Sequence, residues 1–241
     1  MAISTNPLAW LRSVQPRRAI ALLLLLLPLT VGAQTVRDLW LSMPPSFAPY
    51  LSTSLRTQCL DFYDMHTDAQ TDNALKGKSR IDTLTSTFLA ATLSKAHTLQ
   101  MKLLPASGSG SGSASASSMV SGSGSSSSLS SCDSVLCVVR SWDGPKRDSE
   151  VQLFDRQWKP LQAPLTFSAD SFVCRPDTMS EERFSRLVAL LDPIMFSVSL
   201  SPAENVLLVK LSPIVPNPED EKAIEQILVQ RKLKWDGKTF K

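Results

Sequence analysis

A tract of serine and glycine near the middle of the chain, residues 107–131, is the feature that most limits how this sequence can fold. Fifteen of its 25 residues are serine and five are glycine, so it holds five of the nine glycines in the chain. Such a composition offers too little apolar surface to offset the entropy of ordering the backbone. We therefore predict a disordered segment with an end-to-end distance of about 25–30 Å.

The segments on either side of this tract both have the pattern of β-strands. After it, Val135 to Trp142 is apolar on both faces, as in a central strand, and before it one face is formed by His97, Leu99, Met101 and Leu103. The entropic cost of closing a loop rises slowly with loop length. We therefore expect the tract to be an enlarged hairpin loop inside a single domain, residues 34–241, with two small tandem subdomains as the alternative.

Residues 1–33 have the organisation of a secretory signal peptide. Positively charged Arg12, Arg17 and Arg18 precede an apolar core with six consecutive leucines, and Pro28 ends that core. Small residues then lead to an expected cleavage site between Ala33 and Gln34. The apolar stretch of about 15 residues is shorter than the roughly 20 needed to span a bilayer. A retained membrane anchor is the alternative.

The expected cleavage places the protein outside the cytoplasm, in the periplasm or associated with the outer membrane, with no transmembrane segment in the mature chain. It also changes the charge balance. The whole chain has 25 Lys and Arg against 22 Asp and Glu, and three of the arginines lie in the leader, which leaves 22 against 22. A neutral chain has no global field to attract nucleic acid, so we expect no nucleic-acid partner.

Three helices are indicated by residues that recur with helical spacing. The first covers residues 54–66, with an apolar stripe formed by Leu55, Cys59, Phe62, Tyr63 and His66. The second begins at Thr178 or Ser180 and ends before Pro193. The third begins with Asn217 as the N-cap and Pro218 as its first residue.

Alternating apolar residues indicate further strands. A hairpin is expected where residues 194–200 and 207–211 flank the turn of residues 201–204, and Asp236-Gly237 indicates a tight turn near the end of the chain. We therefore predict an α+β fold, in which three main helices pack on one side of one or more antiparallel sheets. The similarity of residues 134–138 to residues 205–209 allows a duplicated helix-plus-hairpin unit, although apolar strands resemble one another in general.

Several short strings, taken in order along the chain, resemble a family of exported proteins of unknown function found in Bacteroidota. They are Met43-Pro44, Leu60-Asp61-Phe62, Gly77-Lys78-Ser79, Ser149-Glu150-Val151, Arg175-Pro176-Asp177-Thr178-Met179-Ser180-Glu181, Leu191-Asp192-Pro193 and Lys234-Trp235-Asp236-Gly237-Lys238. The Ser/Gly tract departs from the family, which has a short loop there. The resemblance implies no activity, ligand or catalytic residue.

The sequence contains no pattern that identifies a catalytic or metal site. The four cysteines, Cys59, Cys132, Cys137 and Cys174, include no Cys-x-x-Cys pair and no Cys/His group at zinc spacing, and their pairing stays open. Asp61, Asp64 and Asp68 share a helix face but lack the EF-hand pattern. We assign no catalytic residue, no metal ligand and no cofactor.

Three tryptophans are the candidate binding-surface aromatics: Trp142, Trp158 and Trp235. Trp142 and Trp235 each precede an Asp-Gly pair at the end of an expected strand. An aromatic ring at the rim of a sheet can stack on a sugar or anchor a peptide, whereas packing in the core is the alternative role.

A modification signal follows from the Bacteroidota resemblance, because these bacteria O-glycosylate Asp-(Ser/Thr)-apolar triplets. Three such triplets occur, so the candidate sites are Thr83, Ser134 and Thr178. Thr178 is also a possible helix cap, and capping would compete with glycosylation for the same hydroxyl.

Together these observations favour an exported, non-catalytic protein that binds a protein partner or a polysaccharide in the cell envelope. An envelope hydrolase that uses carboxylates in a cleft is the alternative.

Overall fold

A computed structural model describes residues 34–106, 134–162 and 164–241. Two short helices begin the described chain, α1 (Val36–Ser42) and α2 (Thr53–Asp64). Thr35 and Asp38 cap α1 reciprocally, and the Ser52 hydroxyl accepts from the Leu55 N–H to cap α2. The helices are joined at a buried contact, where the Trp40 indole N–H donates to the Arg56 carbonyl and the Arg56 guanidinium donates to the Trp40 carbonyl.

A six-stranded antiparallel sheet follows, in which each strand pairs with the next along the chain. Its strands are β1 (Thr71–Asp72), β2 (Lys78–Leu84), β3 (Phe88–Ser94), β4 (His97–Pro105), β5 (Ser134–Asp143) and β6 (Arg147–Phe154). The register pairs Pro105 with Ser134, so the strands on either side of the Ser/Gly tract form an antiparallel pair, as expected. The tract itself lies outside the described residues.

A second, three-stranded sheet and two more helices complete the described chain. Its strands are β7 (Phe196–Leu200), β8 (Val206–Leu211) and β9 (Arg231–Lys234), and the helices are α3 (Glu181–Ala189) and α4 (Pro218–Glu225). Asn217 caps α4 with Pro218 in its first turn, and Ser180 rather than Thr178 caps α3. Gly237, with a φ of 96°, forms the expected tight turn.

Two hydrophobic cores lie against opposite faces of the six-stranded sheet, because successive side chains of a strand point to opposite faces. On β5, Leu136 and Val138 pack in the core that contains the apolar residues of α1 and α2. Val135, Cys137 and Val139 pack in the other core, with residues of α3, α4 and the second sheet. The described residues between Gln34 and Lys241 belong to one compact unit.

Side chains of the six-stranded sheet bond the backbone of β7 and of the β7–β8 turn. The Gln100 side-chain oxygen accepts from the Leu200 N–H at 2.8 Å, and the Ser149 hydroxyl accepts from the Val198 N–H at 3.1 Å. Lys102, which is buried, donates to three carbonyl oxygens of the turn. β7 is an edge strand of the second sheet. Because these outward N–H groups are already bonded, β7 cannot pair with a further strand at that edge.

The α+β class and the antiparallel sheets are confirmed, and the structure adds detail to the helices. Four helices are present in the described residues rather than the three expected, and their apolar residues are divided between the two cores. The two hairpins that suggested a duplication belong to sheets of six and three strands. None of the described helices has the length and hydropathy to cross a lipid bilayer.

The expected extent of the first predicted helix was wrong at its C-terminal end. The helix ends at Asp64, and His66 lies beyond it with a φ of 52° and an exposed side chain. The apolar spacing of the sequence extends to His66, but the helix ends before it, with Met65 as the C-cap. His66 therefore does not belong to the buried stripe. Among residues with a side chain, this left-handed conformation is best tolerated by His, Asn and Asp.

Candidate functional site

An aromatic cluster lies at one end of β4 and β5, on the sheet face that carries α1 and α2. His97 opens β4 and pairs across the sheet with Trp142 of β5. Their rings are stacked, with centroids 5.3 Å apart and planes 7° from parallel. The loop between α1 and α2 brings Tyr50 to the same place, where its hydroxyl lies 2.5 Å from His97 Nδ1.

Arg140 completes this cluster from two residues earlier on β5, a spacing that places it on the same face as Trp142. Its guanidinium carbon lies 5.5 Å from the Trp142 ring centroid and 5.0 Å from that of Phe47. Its guanidinium also forms a 2.5 Å ion pair with Glu150 on the neighbouring strand. A cation over an aromatic face adds about 0.5–1 kcal/mol at exposed sites.

We call these six residues the Trp142 surface: Phe47, Tyr50, His97, Arg140, Trp142 and Glu150. Within it, His97 is 9% exposed while Trp142 keeps 40% of its surface open to solvent. Burial, and secondarily the charge of Arg140, lower the pKa of His97, so its imidazole is neutral near pH 7. The accessible indole therefore rests on a buried, uncharged ring, which holds it in place.

Hydrogen bonding distinguishes Trp142 from Trp40 and Trp235, whereas the indole N–H of buried Trp158 also has no hydrogen bond among the described residues. The indole N–H groups of Trp40 and Trp235 donate to backbone carbonyls, of Arg56 at 3.1 Å and of Pro105 at 2.7 Å. No hydrogen bond of the Trp142 N–H is found within the described residues. An exposed tryptophan with a free donor can contact a ligand through both its ring and its N–H.

The other two predicted aromatics are placed differently. Trp158 is 7% exposed and packs between Phe47, at a centroid distance of 4.9 Å, and Phe154, at 5.5 Å. Its assignment as a surface aromatic is therefore corrected: it belongs to the core. Trp235 is half-buried, and its ring packs on Phe240 with centroids 5.1 Å apart.

The remaining predicted sites are dispersed. Ala33 lies outside the described residues, and Gln34 is the first described residue. Thr83 is half-buried within β2, and the buried Ser134 hydroxyl accepts from the Arg156 Nε at 2.9 Å. Thr178 is exposed in a turn before α3, so its hydroxyl is the most accessible of the three candidates for glycosylation.

A cleft at the end of α2 is lined by several ionisable groups. It has a volume of about 460 Å³ and includes Tyr63, His66, Asp68, Arg80 and Asp82 in its lining. The carboxylate of Asp82 accepts from Arg80 Nε and from the Thr92 hydroxyl, both at 2.7 Å. Two donors thus already engage this carboxylate.

Metal and thiol chemistry find little support in the described part of the chain. Within residues 34–106, 134–162 and 164–241, no group of three or more His, Cys, Asp or Glu side chains is arranged to hold a metal ion. The thiols of Cys59, Cys137 and Cys174 are free, and only Cys174 is exposed. Burial raises the pKa of the Cys137 thiol, which keeps it protonated and unreactive.

Comparison with known proteins gives a fold and a family. A solved structure described as a domain of an uncharacterized protein from Porphyromonas gingivalis W83 is similar to this chain, with a TM-score of 0.61 and 21% identity. The similarity covers 86% of this chain and 98% of that one. At this level of identity it shows a shared fold, and the source organism agrees with the expected Bacteroidota distribution. No curated protein matches.

The family comparison covers almost all of the chain from residue 28 onward. A family model described as "Protein of unknown function (DUF3256)" matches residues 28–130 and 125–240. The expected resemblance to an uncharacterised family is thereby confirmed. The chain belongs to the DUF3256 family of proteins of unknown function.

Proposed function

We propose that this protein is an exported, non-catalytic component of the cell envelope that binds an envelope polysaccharide through the Trp142 surface. Export is supported by the leader pattern of residues 1–33 and by a compact unit that begins at Gln34. The observation that carries the binding proposal is the partly exposed Trp142 ring, stacked on buried His97.

The chemistry of the surface favours a sugar over a protein partner, the other ligand class expected from the sequence. A pyranose ring places its C–H groups against an aromatic ring and its hydroxyls against polar groups at the ring edge. Trp142 supplies the ring and an N–H that has no hydrogen bond among the described residues, and the Arg140–Glu150 pair supplies charged donors and acceptors nearby. Because the ring is already held in place, little side-chain entropy is lost on binding.

Binding to purified envelope polysaccharides tests this proposal. The probes are lipopolysaccharide O-chains, capsular polysaccharide and peptidoglycan fragments from a Bacteroidota host, and the measurement is affinity electrophoresis or calorimetry. We expect Trp142→Ala to weaken binding to one of them by about tenfold or more, in line with the loss of an aromatic contact. Arg140→Gln should weaken it by a smaller factor.

A matched control separates a local effect from a general one. Met65 is another exposed apolar residue, 59% accessible, beyond the end of α2, and Met65→Ala should leave binding unchanged. Circular dichroism should confirm that both variants fold. The proposal is overturned if the chain binds none of the polysaccharides, or if Trp142→Ala and Met65→Ala bind equally well.

A further inference from the structure

The turn between β1 and β2 displays a leucine on a rigid support. Asn73 is buried, and its side-chain oxygen accepts from the N–H groups of Leu75 and Gly77, each at 3.0 Å. Its amide nitrogen donates to the Ser79 hydroxyl and to the Leu93 carbonyl, also at 3.0 Å. Leu75 is nevertheless 66% exposed. Hydrogen bonds of Asn73 thus fix a turn that holds an apolar side chain in solvent. An ordinary solvated loop needs no such support, so we interpret Leu75 as part of a contact surface.

Other exposed apolar side chains lie at the same end of the sheet. In an antiparallel meander every second turn falls at one end, so the β1–β2 and β5–β6 turns share it. Trp142 pairs with Asp148 next to the β5–β6 turn, and the Asp148 carboxylate accepts from the Phe196 N–H at 3.3 Å. Ile194, 53% exposed, therefore precedes β7 on this side. We call this end of the six-stranded sheet, which carries the β1–β2, β3–β4 and β5–β6 turns and the adjoining residues before β7, the turn end.

Ile214 extends the apolar set of the turn end beyond the last residue of β8. The Ser212 N–H donates to the Met195 carbonyl at 2.9 Å, which keeps the two segments together. Four of the six large exposed hydrophobic residues among those described thus lie at the turn end: Leu75, Trp142, Ile194 and Ile214. Met65, by contrast, follows α2, whose last turn contacts the opposite end of β2 through the bond between the Tyr63 hydroxyl and the Leu84 N–H.

Two lysines lie near Leu75 in sequence or at the same end of the sheet: Lys76 in the β1–β2 turn and Lys95 in the β3–β4 turn. Lys76 and Lys95 are exposed, and neither has an ion-pair partner in the part of the chain that the structure describes. The nearby acids Asp72 and Asp143 are paired with Lys78 and Arg147, at 2.6 Å in each case.

Three acids of the turn end have no ion pair among the described residues: Asp148, which bonds to the backbone, Asp192, which precedes Ile194, and Glu225, which lines a cleft with Lys146 and Lys210. None of them belongs to the β1–β2 or β3–β4 turn, where Lys76 and Lys95 are the charges without an ion pair among the described residues. These two lysines complement an anionic surface.

We propose that the turn end docks on the surface of an anionic phospholipid bilayer, with Leu75 inserted among the headgroups and Lys76 and Lys95 against the phosphates. Ile194 and Ile214 form the second apolar contact. Exposed aliphatic side chains bordered by lysines combine burial of apolar area with attraction to anionic lipid. The inference goes beyond polysaccharide binding: Trp142 lies at the same end of the sheet, but the membrane contact is tested at Leu75 and the lysines, which are not part of the Trp142 surface.

Vesicle cosedimentation tests this inference with the chain that begins at Gln34, the start of the compact unit. The vesicles contain phosphatidylethanolamine with or without phosphatidylglycerol. We expect binding only with phosphatidylglycerol, and a loss of about tenfold or more in affinity for Leu75→Glu. Lys76→Gln and Lys95→Gln should each lower affinity about fivefold.

Met65→Glu is the matched control, because it places the same charge on a similarly exposed apolar residue at the opposite end. It should bind as the unchanged chain does, and thermal melting should show that both glutamate variants fold. The proposal is overturned if the unchanged chain does not bind phosphatidylglycerol vesicles, or if Met65→Glu loses as much affinity as Leu75→Glu. Polysaccharide binding measured on Leu75→Glu reports separately on the Trp142 surface.

Discussion

Lys102 Nζ donates to the carbonyl oxygen of Glu204 at 2.7 Å, and this contact joins the two sheets. The same ammonium donates to the carbonyls of Ser201 and Pro202, at 2.6 and 3.0 Å. Lys102 is buried in the middle of β4, where burial lowers its pKa. Three carbonyl acceptors supply the partners that a buried ammonium requires, so the β7–β8 turn is fixed against the first sheet.

Removing this ammonium should weaken the whole fold. We expect Lys102→Met, which replaces the ammonium by an unbranched apolar side chain one atom shorter, to lower the free energy of unfolding by about 2–4 kcal/mol, because hydrogen bonds to a charged group are lost. Urea denaturation measures the change. Lys232 offers a control near the same turn, since it forms an exposed ion pair with Glu204 at 2.6 Å. Lys232→Met should change stability little, and equal effects of the two substitutions would refute this account of the junction.

Stability should also depend on pH through His97. Burial, then the charge of Arg140, lower its pKa from the ordinary value of 6.5, so the unfolded chain binds a proton more readily than the native protein. The free energy of unfolding should therefore decrease as pH falls below 6.5, until the lowered native pKa is reached. Denaturation at a series of pH values from 8 to about 5 measures this slope in the range where histidine titrates.

Substitution of each histidine identifies the source of the slope. His97→Gln should flatten the dependence on pH in this range, while His66→Gln, at an exposed position, should leave it in place. If the slope persists in His97→Gln, a group other than His97 is responsible.

Among the three candidate glycosylation sites, the structure ranks Thr178 first. Its side chain is exposed, whereas the Ser134 hydroxyl is buried against Arg156 and Thr83 is half-buried in β2. For a transferase that acts on the folded protein, we expect Thr178 to carry the sugar. Intact-mass measurement from the native host should show a mass increase that Thr178→Ala abolishes and Ser134→Ala retains. An unmodified Thr178 in the protein from the native host would contradict the prediction.

Local sequence signals were sufficient for much of the fold. The spacing of apolar residues and the caps at Ser52 and Asn217 define α2 and α4. Alternation defines β4, β7 and β8, and an apolar run on both faces defines β5. Helix α1 has seven residues, too few for a clear period, although the capping box of Thr35 and Asp38 is a readable signal for it.

The Trp142 surface was only partly predictable. Trp142 itself was identified by its place at a strand end, and Arg140 follows from the two-residue period of the same strand. Phe47 and Tyr50 belong to an irregular loop far away in the sequence, so only the tertiary fold brings them to His97. Trp158 was misplaced because no local pattern showed that Phe47 and Phe154 enclose it.

Export is the claim on which the proposed function depends, and the N-terminus of the protein isolated from its native host tests it most directly. Cell fractionation followed by mass spectrometry of the N-terminal peptide should find the protein in the envelope fraction, beginning at Gln34 or at its cyclised form. A protein that begins at Met1 and is recovered from the cytosol would contradict the account.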